Sequence, residues 1–266
     1  MTELSIYKVN PTGNITLIID TPVKRECQAA IAAFLMEQDK SAEQVGFLEK
    51  PASECAQMRL QMMGGEFCGN ASIGTAAVMA EKLGAEELDV LLEVSGSAEE
   101  VPISVMRNAD GSFTGTVSMP IPESIYDFTF LNGLDTYTFP LVRFPGICHV
   151  IIDRRFSPEL AQSLITDWCD QLKTEALGLM FVSDDLQRME PLVYVASTNT
   201  TVWETSCASG TCAVAAFTAQ RRRHRVKLSL VQPGGTLTAE AEYAQNAVRS
   251  IKLTGKVVIE GQYTST

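Results

Sequence analysis

The 266-residue sequence holds only two histidines, His149 and His224, and no Cys-x-x-Cys pair. Without Cys or His pairs at ligand spacing, the sequence gives no support to a zinc site. Positive charge is also scarce: 21 Lys and Arg stand against 32 Asp and Glu, for a net charge of −11. A polyanion needs clustered positive charge, so no nucleic-acid partner is expected. No apolar run reaches the roughly 18 residues of a membrane span, so no membrane partner is expected either. The first residues, MTELSIYKVN, lack a basic region followed by an apolar core and do not read as a secretory signal. The seven cysteines (Cys27, Cys55, Cys68, Cys148, Cys169, Cys207 and Cys212) are odd in number and scattered. They do not form a disulfide framework on paper, and a reducing cytoplasm is the expected location. What remains is an ordinary globular composition, 45% apolar and 20% charged. The length suits one large domain or two of about 130 residues.

An internal repeat decides between these. FCGNASIGTAAVMAEK (67–82) resembles SCASGTCAVAAFTAQR (206–221), with Cys68 set on Cys207. LIID (17–20) answers VIID (150–153), EQVGF (43–47) answers EALGL (175–179), and EVSG (93–96) has a weak counterpart in LVQPGG (230–235). The shared order points to two homologous halves, residues 1–122 and 123–266, meeting near MPIPES (119–124). Each half reads as a strand (Ile15–Asp20; Val150–Asp153), an amphipathic helix, further strand (Met58–Met63; Pro191–Ala196), a cysteine-led helix and several closing strands. The first amphipathic helix spans roughly Lys24–Gln38. The second starts with Ser157 as N-cap and Pro158 at the first helical position, and runs to about Lys173. The cysteine-led helices are so small and apolar that they must be buried on most sides. The closing strands are Val90–Val94, Pro102–Arg107 and Phe113–Met119, then Lys227–Val231, Thr236–Glu242 and Ser250–Ile259.

In each half a cysteine stands at the mouth of a buried helix. Cys68 is followed by Gly69 and Asn70, and Cys207 by Ala208, Ser209 and Gly210. Free N–H groups and the positive end of the helix dipole favour an anion there. The same position favours a thiolate, which makes Cys68 and Cys207 candidate reactive groups. Two thiols at equivalent places suit proton transfer on opposite faces of one carbon. One thiolate removes the α-proton of an amino acid, the other thiol returns a proton, and the helix ends hold the carboxylate. Such chemistry needs no cofactor.

These residues carry a family resemblance. CGN (68–70), CASGTC (207–212), Gly13-Asn14 and the halved architecture resemble the diaminopimelate-epimerase-like superfamily along nearly the whole chain. NPTGNITLII (10–19), EQVGFLE (43–49), GEFCGNAS (65–72), VWETSCASGT (202–211) and QPGG are similar to the histidine racemases of opine-metallophore (staphylopine-type) biosynthesis. The resemblance implies an α/β fold of two pseudo-symmetric halves, each a β-barrel around a central helix, with the site between them. It implies a two-cysteine, pyridoxal-phosphate-independent racemase with no cofactor and a small amino-acid substrate. It also places Asn14, Gly69, Asn70, His149, Ala208 and Ser209 against the substrate. The product's entry into a metallophore rests on the resemblance alone, and a homodimer is the one assembly considered.

The chain departs from the diaminopimelate enzymes where they hold a distal carboxylate. Thr205 follows Trp203-Glu204 where that family has Arg, and Gly146-Ile147-Cys148-His149 replaces its Gly-Asn-Pro-His. A second carboxylate left unpaired there would cost several kcal/mol at order of magnitude. Glu43 and Glu204 suit instead a hydrogen-bond donor such as an imidazole N–H. A surface or capping role remains open for both, as a core role does for His149. Arg221, Arg222, Arg223 and Arg225 read as a solvated cluster at a helix C-terminus. Cys212 and the Met62-Met63 pair read as packing, and QPGG as a turn. Two other classes stay open: a thiol hydrolase with Cys207 as nucleophile and His149 as base, and a binding protein without turnover. Neither accounts for a matched pair of cysteines, and neither would exchange the α-proton of an amino acid in D₂O.

Overall fold

Two segments, 69–83 and 208–222, offer Gly, Ala, Ser and Thr on every face and little to present to water. In the computed structural model, which describes residues 3–265, both become central helices wrapped by strands. The chain divides by packing into two units. One holds the chain through Ser118 and again from Leu253 onward; the other runs Met119–Lys252.

The first unit begins with β1 (Leu4–Pro11), β2 (Thr16–Ile19), α1 (Arg25–Gln38), β3 (Gln44–Glu49) and β4 (Met58–Met62). It continues through α2 (Gly69–Leu83), β5 (Glu87–Val94), β6 (Val101–Arg107) and β7 (Phe113–Met119). Its strands lie in the order β1-β2-β3-β4-β5-β6-β7-β16, and β16 (Ala247–Ser265) pairs back onto β1. The result is a closed eight-stranded barrel. Closure satisfies both edges, and α2, packed against β1, β2, β5 and β6, fills the interior. Strand β2 is buried throughout, as a strand covered on both faces must be. Helix α1 buries only Gln28, Ala32 and Leu35, the single stripe of an outer helix.

The second unit repeats this order. It contains β8 (Ser124–Asn132), β9 (Asp135–Phe144), β10 (Ile147–Ile152), α3 (Pro158–Leu172), β11 (Ala176–Val182) and β12 (Met189–Val195). Then come β13 (Thr200–Trp203), α4 (Ala208–Arg222), β14 (Val226–Gln232), β15 (Gly235–Ala244) and the first part of β16. Strands β2 and β3 pair in parallel, as do β10 and β11. Strands β4 and β5 pair in parallel, and the equivalent contact is the parallel bridge of Arg188 to Val231. Helix α4 packs on β9, β10, β11, β14 and β15, as α2 does on its own shell. The outer helix α3 covers β8, β11 and β12. Ser157 Oγ accepts from Leu160 N–H at 3.2 Å, and Trp168 stacks on Phe130 at a centroid distance of 4.2 Å.

Several sequence expectations need correction. The C-terminal half was expected to hold residues 123–266, but the chain from Leu253 joins the first unit, because β1 requires a partner to close the barrel. Strand β16 is correspondingly longer than Ser250–Ile259, and β10 starts at Ile147 rather than Val150. Strands β1, β8, β9 and β13 were not anticipated, and β13 has no counterpart in the first unit. Met62 is buried as packing requires, whereas Met63 is exposed. Among the described residues, no helix is long and apolar enough to cross a membrane.

Gly96, at the end of β5, has φ +74°, and a Cβ there would overlap the backbone nitrogen of Phe67. Gly111 has φ +82° with open space around it. Gly96→Ala should therefore cost at least about 2 kcal/mol in urea unfolding, against about 1 kcal/mol for Gly111→Ala, where only backbone strain acts. Equal losses would remove the close approach as a constraint.

Candidate active site

Helix α2 starts at a cysteine because its first turn needs an acceptor. Cys68 is the N-cap, with extended backbone (φ −130°, ψ 108°), and its Sγ accepts from Ala71 N–H at 3.4 Å. The thiol donates to Gln44 Oε1 at 2.9 Å. Ser72 Oγ–H and N–H both donate to the Cys68 carbonyl, at 2.7 and 3.0 Å. The peptide leading into Cys68 is held as well. Ser95 Oγ donates to the Glu66 carbonyl at 2.8 Å and accepts from Met62 N–H at 2.9 Å.

Around this cap the first unit gathers Asn14, Glu43 and Asn70. Gly13, at φ +90°, turns the chain so that Asn14 points inward. Asn14 Nδ2 donates to Glu43 Oε2 at 2.6 Å. Glu43 is adjacent to Gln44, the thiol's partner. The side-chain oxygens of Asn14 and Asn70 are buried with no hydrogen-bond partner. A buried acceptor left unmade costs about 1–3 kcal/mol, so each of these oxygens is a cost the protein itself leaves unmet.

Helix α4 reproduces the construction. Cys207 has φ −120° and ψ 108°, within 10° of Cys68. Thr211 Oγ–H and N–H donate to the Cys207 carbonyl at 2.7 and 3.0 Å, replacing Ser72. Gln232 Oε1 accepts from Cys207 N–H at 2.8 Å, and its Nε2 donates to Thr211 Oγ1 at 2.9 Å. Gly234 N–H donates to the Thr205 carbonyl at 2.7 Å, two residues before the cysteine, as Ser95 does two residues before Cys68. The weak match of EVSG to QPGG therefore has a physical content: both segments clamp the approach to a cysteine. Sequence reasoning read QPGG as a turn and missed Gln44 and Gln232 altogether. Their spacing to the cysteines carries no local signal, because each reaches across strands.

Burial pushes the Cys207 thiol well above its ordinary range, and the Glu204 carboxylate, which accepts from it, pushes the same way. The Gly210 N–H and the Ser209 hydroxyl pull it back. Glu204, which the sequence suggests for a substrate imidazole, lies beside this thiol. His149 is completely buried, and its Nε2 lies 2.9 Å from Ser209 Oγ. Ala208 and Ser209 fill the first turn beside Cys207, as Gly69 and Asn70 do beside Cys68. Cys212 is fully buried, with its thiol pushed up by burial. Arg221, Arg222, Arg223 and Arg225 are exposed at the end of α4. Among the described residues, no group of three or more His, Cys, Asp or Glu side chains is placed to hold a metal ion.

Comparison with known proteins gives the geometry a context. Residues 3–264 match the family described as the histidine racemase CntK N-terminal domain. A histidine racemase from Fusobacterium nucleatum is 33% identical over 243 residues, covering 88% of each chain. A histidine racemase from Staphylococcus aureus is 26% identical over 98% of this chain and 95% of its own. Two solved structures share the fold. A PhzF-family protein of Bacillus anthracis has a TM-score of 0.72 at 16% identity, covering all of both chains. A hydroxyproline epimerase from Agrobacterium vitis has a TM-score of 0.71 at 12% identity, covering 98% of this chain and 92% of that one. The mixed α/β fold, with one closed eight-stranded barrel and a second unit built on an open sheet, is shared with these structures.

Burial lowers the His149 pKa to about 3, whereas an unfolded imidazole titrates near 6.5. Below pH 6.5 the unfolded chain takes up a proton that the folded chain refuses. Stability from this group is complete above pH 6.5 and falls as pH drops toward 3, by at most about 1.4 kcal/mol per pH unit. The unfolding free energies of the wild type and His149→Gln should converge between pH 7 and pH 4.5. A constant gap would mean that the folded imidazole titrates normally.

Proposed function

This chain belongs to the histidine racemase family, and from that premise we propose that it interconverts L- and D-histidine by cofactor-independent proton transfer at Cα. The observation that carries the reading is the matched pair of caps. Two buried cysteines share backbone dihedrals, each opens a helix built of small residues, and each has its carbonyl held by a hydroxyl four residues on. A core position needs none of this duplication.

In the proposed reaction the substrate carboxylate sits on the first-turn N–H groups of Gly69, Asn70, Ala208 and Ser209. There the helix ends stabilise the charge that grows as Cα loses its proton. The α-ammonium satisfies the orphaned oxygens of Asn14 and Asn70. Cys68 and Cys207 act on opposite faces of Cα: one as thiolate takes the proton, the other as thiol gives one, and the two exchange states with each turnover. Glu204, beside the Cys207 thiol, favours the protonated form that delivers a proton to Cα. Glu43, oriented by Asn14, accepts from the imidazole N–H of histidine. The thiol pair supplies the acid and base, so neither a metal nor an electron-sink cofactor enters a step. The odd number and scatter of the cysteines suit a reducing cytoplasm. D-Histidine made there would serve a condensing enzyme such as those of metallophore assembly.

Cys68→Ser and Cys207→Ser should each abolish formation of D-histidine while the far-UV spectrum stays native. Near-wild-type product from either variant would remove the two-thiol mechanism. Activity should survive EDTA, and the purified protein should show no pyridoxal absorbance; restoration of lost activity by a metal or by pyridoxal phosphate would contradict this. The two acidic residues should separate. Glu43→Gln should lower kcat/KM for L-histidine by about ten- to a hundredfold, with little effect on slow turnover of L-alanine. Glu204→Gln should slow both substrates through kcat. If LL-diaminopimelate or L-glutamate outperforms L-histidine in the same panel, the assignment of histidine is wrong.

A further inference from the structure

His149 is the second unit's largest unexplained polar investment. It lies wholly inside the unit, its ring meets Phe144 edge-on at 6.0 Å, and a Cβ at Gly178 would overlap its Nδ1. Glycine at that position of β11 gives the ring its seat. The imidazole has one polar contact, Nε2 to Ser209 Oγ at 2.9 Å, and its Nδ1 has no hydrogen-bond partner. Ser209 Oγ in turn lies 3.7 Å from Cys207 Sγ. The three side chains form a line that ends on a candidate catalytic sulfur.

The direction of the hydrogen bonds along this line follows from the groups at its two ends. The Ser209 hydroxyl pulls the Cys207 thiol down while Glu204 pushes it up, the sign expected when Ser209 is the donor in its contact with Sγ. A serine hydroxyl has one hydrogen; once that hydrogen points at sulfur, Ser209 Oγ can only accept from His149, which requires hydrogen on Nε2. The other end gives the same answer. With hydrogen on Nε2, the orphaned Nδ1 is a bare lone pair. With hydrogen on Nδ1, it is a buried unmade N–H donor, the rarer defect in folded proteins.

We propose that His149 is a positioning residue, whose Nε2–H holds Ser209 Oγ as acceptor and so aims the serine hydroxyl at Cys207 Sγ, ready to stabilise the thiolate form of Cys207. This rests on the racemase reading only for its purpose; the hydrogen-bond line itself is a property of the resting protein. Glu204, from the segment before α4, is the charged group against the sulfur, and it opposes the thiolate. Gly210 N–H, Ser209 and, through it, the neutral His149 favour it. Met180 of β11 borders the sulfur's seat at Gly210, and Gln232 of β14 holds the backbone of Cys207; neither carries charge. Without the line, Cys207 would face Glu204 with one donor fewer, and it would become a base less readily.

Two measurements test this without requiring turnover. The chain has two histidines, so in His224→Gln protein labelled with ¹⁵N-histidine every imidazole signal belongs to His149. Long-range ¹H–¹⁵N correlation should show the neutral Nε2–H tautomer, unchanged from pH 5 to 9. The Nδ1–H tautomer, or an imidazolium, would overturn the proposal. The second measurement follows alkylation of Cys207 by iodoacetamide across pH, read by mass spectrometry of its peptide. Ser209→Ala and His149→Phe should each move the midpoint up by about one unit, a roughly tenfold slower reaction below it. His149→Gln, which keeps a donor near the Nε2 position, should recover much of the shift, and His149→Phe should add nothing in a Ser209→Ala background. An unmoved midpoint in Ser209→Ala, or an equal effect of His149→Phe with and without Ser209, would reduce His149 to packing. Loss of racemisation in a variant whose midpoint is unmoved would count against the proposal while leaving the racemase reading intact.

Discussion

A helix that begins inside a shell of strands must find partners for its first N–H groups without help from water. This chain places a cysteine at that point twice, capping with its sulfur at Cys68, and much of the structure follows from that choice. The cap residue must be extended, its carbonyl must be held, and its side chain must lie over the first turn. Ser72 and Thr211 hold the carbonyls. Ser95 and Gly234 hold the peptide two residues upstream. Helix and shell fit closely: a Cβ on Gly210 of α4 would strike Met180, one on Gly74 of α2 would press on Val9, and Gly115 of β7 makes room for Ile73. Closure of the first barrel by β16 completes the enclosure and draws the end of the chain back to β1.

Within that common frame the two sulfurs are given different neighbours. Cys68 meets the neutral amide of Gln44 and the amide N–H of Ala71. Cys207 meets the carboxylate of Glu204 and the hydroxyl of Ser209. Racemisation needs one thiolate and one thiol at the start of each turnover, and two identical environments would leave that choice to chance. Burial and the Glu204 carboxylate hold Cys207 toward its thiol form.

The repeat was legible in the sequence because it is written in small residues and cysteines, which tolerate little substitution when a helix is enclosed. The outer helices were legible from their caps: Ser157 and Pro158 stand where α3 starts, and Lys173, at φ +51°, ends it. Strands β8 and β9 were passed over, although Asn132-Gly133 is a hairpin signal between alternating residues. A reading led by the repeat had no reason to look between the halves. The return of β16 to β1 could not be seen, since long-range pairing leaves no local mark. The same holds for Gln44 and Gln232. Glu204 was singled out for its charge but given the substrate as partner, because only the fold brings the start of α4 back over the residue three positions earlier. His149 was singled out from its place in a family motif, and its burial beneath Ser209 could be read only from the structure.

The central claim is that two groups, on opposite faces of Cα, share one proton transfer. It is tested most directly by running the reaction from L-histidine in D₂O and examining both enantiomers in the first few per cent of conversion. Two thiols predict that the D-histidine formed carries deuterium at Cα in essentially every molecule, while the recovered L-histidine remains unlabelled. A single base that swings from face to face would return the abstracted hydrogen, so early D-histidine retaining much of its original α-hydrogen would contradict the account.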